Sequence, residues 1–200
     1  MIDFIRNAFP EDTLPRLICC GVLQLVAYYV PKHIKRESRS IMVTRPDRMI
    51  KARPWWVFIY VLSYAQWFLC YWAVFRSGSG DALLAADITG KLVCMLFFII
   101  LPTTMEREEP SGPCAWALRI IYRLDAPTNL FPSMHSSLSM ICLIMLFTCT
   151  GLPLWLKIAN AVFSVCVFVS TLKTKQHVIV DTLSGMLLGA LCCLSFLLVF

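Results

Sequence analysis

Two short stretches of this 200-residue chain hold side chains able to do chemistry. One is Phe131-Pro132-Ser133-Met134-His135-Ser136-Ser137. The other runs from Ser170 through Thr171, Lys173, Lys175, Gln176 and His177 to Asp181. His177 and Asp181 are four residues apart, a spacing that puts both on one face of a helix. A carboxylate that accepts a hydrogen bond from one imidazole nitrogen fixes the tautomer and leaves the other nitrogen free to attack. His135 stands where a helix opens and is placed to supply a proton. Ser133 and the free N–H groups of that helix start form a cradle for an anion. Lys173, Lys175 and Arg107 add positive charge around it. One nucleophile, one acid and an electropositive nest suit transfer of a phosphoryl group.

The elements that must hold these residues are membrane helices. The chain is 58% hydrophobic and only 15% charged, with a net charge of +6. Soluble domains carry about a quarter charged residues. Crossing the hydrocarbon takes about 20 mostly apolar residues. Six windows qualify: 14–30, 55–75, 82–101, 136–152, 154–172 and 178–200. The expectation is therefore an all-α, polytopic membrane bundle of about six helices, forming a single domain over residues 1–200. Asp3 and Glu11 around a single Arg6 argue against the basic start of a cleaved signal. Nine of the ten cysteines fall in apolar runs, where they read as small packing residues; the exception is Cys114. Asp87 and Lys91, spaced i,i+4 inside the third window, read first as a structural ion pair and second as polar residues facing the site. Gly151 and Pro153 mark the turn between the fourth and fifth helices.

Counting crossings puts the end of the third helix, the start of the fourth, the end of the fifth and the start of the sixth on one side. The basic connection 32–53, with Lys32, Lys35, Arg36, Arg39, Arg45, Arg48, Lys51 and Arg53, lies on that side too. Taken singly, the features are commonplace: histidines occur at helix ends, His–Asp pairs arise by chance, and lysines snorkel to headgroups. Their convergence on one face is what points to a site.

The two stretches resemble the second and third signatures of the type-2 phosphatidic acid phosphatase superfamily, written Pro-Ser-Gly-His and Ser-Arg-x5-His-x3-Asp. Ser170, His177 and Asp181 reproduce the third signature's spacing, and residues 102–185 cover the site. Met134 replaces the usual glycine, and Thr171 replaces the signature arginine. The first signature, Lys-x6-Arg-Pro, is degenerate, with Arg107 followed by Glu108 and Ile100 in the lysine position. The Pro-Ser-Met-His and Lys-Gln-His versions look like a divergent branch that includes sphingomyelin-synthase-like proteins.

The resemblance implies a lipid phosphate phosphatase acting on a monoester or diphosphate through a phosphohistidine. In that reading His177 is the nucleophile, Asp181 orients it and His135 is the acid, then the base. Arg107, Ser133, Ser170 and Lys175 hold the phosphate, with Lys175 standing in for the lost arginine. The implied partners are a lipid phosphate substrate and membrane lipids, with no nucleic acid, no metal and no cofactor. The alternatives are a lipid phosphotransferase that uses a lipid hydroxyl as acceptor, and a non-enzymatic protein that ligates haem through His135 and His177 or binds anionic lipid. The basic connection places the site in the cytoplasm by the positive-inside rule, whereas many family members work on the outer or lumenal leaflet.

Overall fold

Residues 12–34 and 37–199 are described by a computed structural model. The expectations for Asp3, Arg6, Glu11, Lys35 and Arg36 lie outside the described residues. The elements are α1 (Thr13–His33), β1 (Arg39–Ser40), α2 (Arg45–Met49), a 3-10 turn (Pro54–Trp56), α3 (Val57–Phe75), α4 (Gly80–Ile100), β2 (Thr103–Thr104), α5 (Ala115–Leu124), α6 (Met134–Thr148), α7 (Leu154–Lys173) and α8 (Ile179–Leu197). The only described strands are the two-residue β1 and β2, which pair in parallel. The fold is an all-α membrane helix bundle, as the composition implied.

Among the described residues, five helical stretches are long and apolar enough to cross a membrane: Thr13–His33, Pro54–Phe75, Gly80–Ile100, Leu154–Lys173 and Ile179–Leu197. The window expected over 136–152 is instead α6, which has 15 residues and is about 22 Å long. Its position explains why it can be short. α6 packs against α3, α4, α7 and α8, and Ile141, Cys142 and Met145 on it are completely buried. A helix surrounded by helices has little lipid to face. The outer helices do face it: Leu62, Leu69, Leu92, Leu96, Leu187 and Leu191 are all at least half exposed. Exposed leucine on the perimeter is what a hydrocarbon solvent demands. All ten cysteines are free thiols.

Close approach between α6 and α8 decides where the site residues meet. Gly185 and Gly189 lie four apart on α8. A Cβ on Gly185 would stand 2.2 Å from the Ser133 carbonyl oxygen, and one on Gly189 would stand 2.4 Å from that of Ser137. Each glycine therefore admits a backbone carbonyl of α6 where any side chain would collide, the small-xxx-small packing of membrane helices.

A buried charge pair ties the other side of the bundle. Lys91 Nζ is 2.7 Å from Asp87 Oδ2, with the two side chains 3% and 0% exposed. Lys91 also donates to the Cys20 carbonyl of α1 at 2.8 Å, and Tyr71 of α3 donates to Asp87 at 2.6 Å. With both charges paired and hydrogen-bonded across three helices, the first of the two readings of this pair, a structural one, is the one the geometry fits.

Replacing Gly189 with alanine should lower thermal stability in detergent by about 1–3 kcal/mol, the usual cost of overpacking. Gly21→Ala, with nothing within 4 Å of the added Cβ, should show no loss. Equal melting of the two variants would contradict the close contact.

Candidate active site

α6 begins where Ser133 caps it. The Ser133 hydroxyl accepts from the Ser136 N–H at 3.3 Å and from the Ser136 hydroxyl at 3.1 Å. Its own N–H donates to the Asp181 carbonyl across the α6–α8 contact at 3.0 Å. His135 follows in the first turn, with its ring stacked on Tyr60 at 4.3 Å between centroids. Tyr64 and Trp67 enclose the same ring at 5.5 and 5.1 Å.

α7 ends in a Schellman turn. The Lys175 N–H donates to the Leu172 carbonyl at 3.2 Å, and the Gln176 N–H to the Thr171 carbonyl at 3.0 Å. Lys175 takes the left-handed position at φ +53°, where glycine is usual because it has no Cβ penalty. That turn throws the chain back, and His177 lands beside the start of α8. The His135 and His177 ring centroids are 6.4 Å apart.

α8 begins only at Ile179, so His177 and Asp181 do not share a helix face as the spacing implied. His177 lies in the preceding turn and Asp181 in the first turn. Asp181 accepts from the Val178 N–H at 3.2 Å. His177 Nδ1 is 3.4 Å from Asp181 Oδ2, a charge-pair distance, and neither His177 Nδ1 nor Asp181 Oδ1 has a hydrogen-bond partner. The dyad is thus made by a helix cap reaching a loop residue.

Between the two histidines lies a cavity of about 210 Å³ lined by residues of α1, α3, α5, α6, the long connection between α4 and α6, and the turn between α7 and α8. Arg107 enters it, donating to the Asp125 carbonyl at 2.6 Å and to Gln176 Oε1. Its guanidinium lies 4.8 Å from the Tyr122 ring centroid. Burial pushes the Tyr122 hydroxyl up to about 12, against the pull of Arg107. It therefore stays a donor, and it donates to the Thr174 carbonyl at 2.8 Å. Buried side-chain atoms without a partner cluster at this cavity. Nine are found among the described residues, and six of them, on Gln24, Arg107, Thr128, His135, Gln176 and His177, belong to its lining. Buried polar atoms are normally paired; a concentration of unpaired ones around a cavity is what a polar ligand satisfies.

The remaining residues expected at the phosphate are placed elsewhere. Ser170 is fully buried and donates to the Val167 carbonyl at 2.7 Å. Thr171, in the arginine position, shares a 3.1 Å hydrogen bond with Thr182 that joins α7 to α8. Lys175 donates to the Asp47 carbonyl at 3.0 Å and lines a second cavity of about 250 Å³ with Glu106, Glu108, Asp47 and the other side of His177. Lys173 lies in the last turn of α7. Ser133, Ser170 and Lys175 are absent from the first cavity's lining; Arg107, His135 and His177 line it. Among the described residues, no three His, Cys, Asp or Glu side chains group as metal ligands.

Sequence reasoning missed several lining residues. Gln176 had a signal, its position in Lys-Gln-His. Gln24 and Tyr28 also had one, since with Lys32, which lies outside the lining, they form a polar stripe at every fourth residue of an apolar helix. Tyr28 and Lys32 both bond Asp125 Oδ1, the lysine at 3.1 Å. Asn129 donates to the Tyr28 carbonyl at 3.1 Å, which fixes α1 against the entry to α6.

The basic connection is folded over the site. Residue 39 and residue 41 donate to the Pro102 and Thr104 carbonyls at 2.8 and 2.9 Å. α2 has a capping box between Thr44 and Asp47, and Asp47 also accepts from the Ile179 N–H at 2.7 Å. Asp47 therefore caps α8 from outside. Burial opposes its charge, but the hydrogen bonds from Thr44 and Ile179 and the nearby Lys175 ammonium hold its carboxyl below the usual carboxylate range.

A family model described as the PAP2 superfamily matches residues 109–195. No curated protein and no solved structure gives a significant match to the chain.

Because the folded carboxyl of Asp47 titrates below its unfolded value, the stability it supplies is complete above the ordinary carboxylate range near pH 4. It is lost only as the pH falls through the lower folded value. Hydrogen exchange at the Ile179 amide should therefore stay protected from neutral pH down to about pH 4. Asp47→Ala should remove that protection at every pH and cost about 1 kcal/mol, as losing a helix cap does. Protection unchanged in the variant would contradict the capping role.

Proposed function

We propose, on the premise that through residues 109–195 this chain belongs to the PAP2 superfamily, that it is a lipid phosphate phosphatase working through a phosphohistidine. Membership supports a phosphatase or phosphotransferase acting on lipid phosphates in general. The observation that carries the finer reading is the set of unpartnered polar atoms gathered on one cavity with His135 and His177 across it.

In the first step the free His177 nitrogen forms a bond to phosphorus while the bond to the lipid oxygen breaks. The electron pair leaves with that oxygen, and His135, which takes up its proton as the negatively charged phosphate enters the cavity beside it, gives it that proton. Asp181, 3.4 Å from the other His177 nitrogen, holds the ring and stabilises the charge it gains. That distance is long for a hydrogen bond, and such contacts commonly tighten only when the substrate is bound. In the second step His135, now neutral, takes a proton from water as the water oxygen bonds to phosphorus and the nitrogen–phosphorus bond breaks. Inorganic phosphate leaves and both imidazoles return to their starting states. Arg107 and Gln176, joined to each other, are the cavity-lining groups best placed to bind the phosphate oxygens. Ser133, Ser170 and Lys175 fit better as supports: Ser133 caps α6, Ser170 bonds within α7, and Lys175 anchors α2.

One observation favours a second reading, transfer to a lipid hydroxyl. The cavity continues past the histidines to Gln24, Tyr28, Asp125 and Asn129, a polar extension beyond what a bare phosphate needs. That extension suits a headgroup or an acceptor alcohol.

His177→Ala should abolish release of phosphate from a labelled lipid phosphate while the protein still folds and inserts. His135→Ala should lose about 10²- to 10⁴-fold, the worth of a general acid. Adding an alcohol acceptor to the wild-type assay separates the two readings: free phosphate alone means hydrolysis, and a phosphorylated alcohol means transfer. An active His177→Ala protein ends both.

A further inference from the structure

We propose that α5 is a membrane-interface helix whose outward face lies in the headgroup layer, its apolar half against acyl chains and its arginine half against anionic lipid phosphates. With 10 residues, α5 is about half the length needed to span. Its inner face is accounted for, since Ala117 and Leu118 pack on Val57 at the start of α3. Its outer face is not. Trp116, Ile120 and Leu124 recur at every fourth residue and are 62, 47 and 75% exposed. Residues so spaced share one side of a helix.

Arg119 and Arg123 occupy the adjoining sector. Arg119 is held by Glu109 at 2.7 Å and by the Pro110 carbonyl at 2.9 Å. Arg123 is exposed and has no partner among the described residues. A helix with tryptophan and aliphatic residues beside arginines is suited to the interface, where the apolar half sinks into the acyl boundary and the basic half meets phosphates.

Two neighbours indicate what covers this face. The 3-10 turn against which α5 packs carries Trp55, 46% exposed, at the start of a candidate membrane span. Exposed tryptophan at the end of a span marks the headgroup level, so α5 sits at that depth. At its other end, Leu124 lines the cavity together with Leu25 and Tyr29 of α1 and Val61 and Tyr64 of α3. These four are 57, 50, 44 and 51% exposed and belong to the outward surface of two candidate spans. The stripe on α5 is thus continuous with surfaces that lipid already covers. A bilayer covers the whole as one surface.

The test uses the full chain in lipid nanodiscs and reads the fluorescence of Trp116 as wild type minus Trp116→Phe, a measurement independent of any enzymatic activity. A nitroxide near the headgroup of a lipid should quench that component, and aqueous iodide should not. Moving the nitroxide from a zwitterionic to an anionic lipid should raise the quenching, up to about fivefold, the enrichment one arginine near a charged surface is worth. Arg123→Gln should abolish that rise. Quenching by iodide with none by the lipid nitroxide places the face in water and overturns the proposal. Protection from both probes means that a second copy or another protein covers the face, which equally overturns it. No rise with anionic lipid overturns the arginine half.

Discussion

Everything at this site hangs on two missing side chains. Gly185 and Gly189 let α8 lie on the backbone carbonyls of α6 at distances no Cβ permits. Lipid gives helices little hydrophobic reason to associate, so close packing of this kind, with its dispersion and backbone contacts, has to hold them. The same contact lets the Ser133 N–H reach the Asp181 carbonyl, which ties the cap of α6 to the first turn of α8. His135 and His177 flank that tie. Their 6.4 Å separation is therefore fixed by backbone packing. A difference of one methyl group at position 185 would move the His135 ring relative to that of His177.

Around this contact the polar groups divide into those that are satisfied and those that are not. The Asp87–Lys91 pair, deep in the bundle, satisfies its charges across three helices. Ser133, Ser170 and Thr171 spend their hydroxyls on helix caps and turns. The Lys175 ammonium, donating to the Asp47 carbonyl, and the Asp47 carboxylate, accepting from the Ile179 N–H, pin the basic connection over the site. What remains unpaired concentrates at one cavity. That contrast separates a scaffold from a binding site more sharply than residue type does, because serines, lysines and aspartates occur in both.

Much of this was legible in the sequence, for physical reasons that can be named. The helices announced themselves because lipid tolerates little else, and the side of the membrane shared by their ends followed from counting. His135, His177 and Asp181 were legible because ionisable groups at the ends of apolar windows are costly and conspicuous. The way His177 meets Asp181 was not, since a helix start two residues later than the spacing implied replaces a shared face with a cap. The phosphate-binding roles of Ser170 and Lys175 rested on a signature; in the structure Ser170 bonds to the Val167 carbonyl within α7, and the Schellman turn carries Lys175 toward Asp47. Tyr60 and Tyr64 looked like ordinary residues of a membrane helix, because which face of a spanning helix turns inward depends on packing. The short α6 was read four residues too far because Cys149 and Leu152 are apolar, although the turn at Gly151 and Pro153 had been seen.

The most direct measurement of the central claim is to quench the protein during incubation with a phosphorus-labelled lipid phosphate and locate the label. The account predicts an acid-labile, alkali-stable phosphate on His177, absent when that residue is alanine and still formed when His135 is alanine. Label on any other residue, or steady turnover with no phosphorylated protein at all, would contradict it.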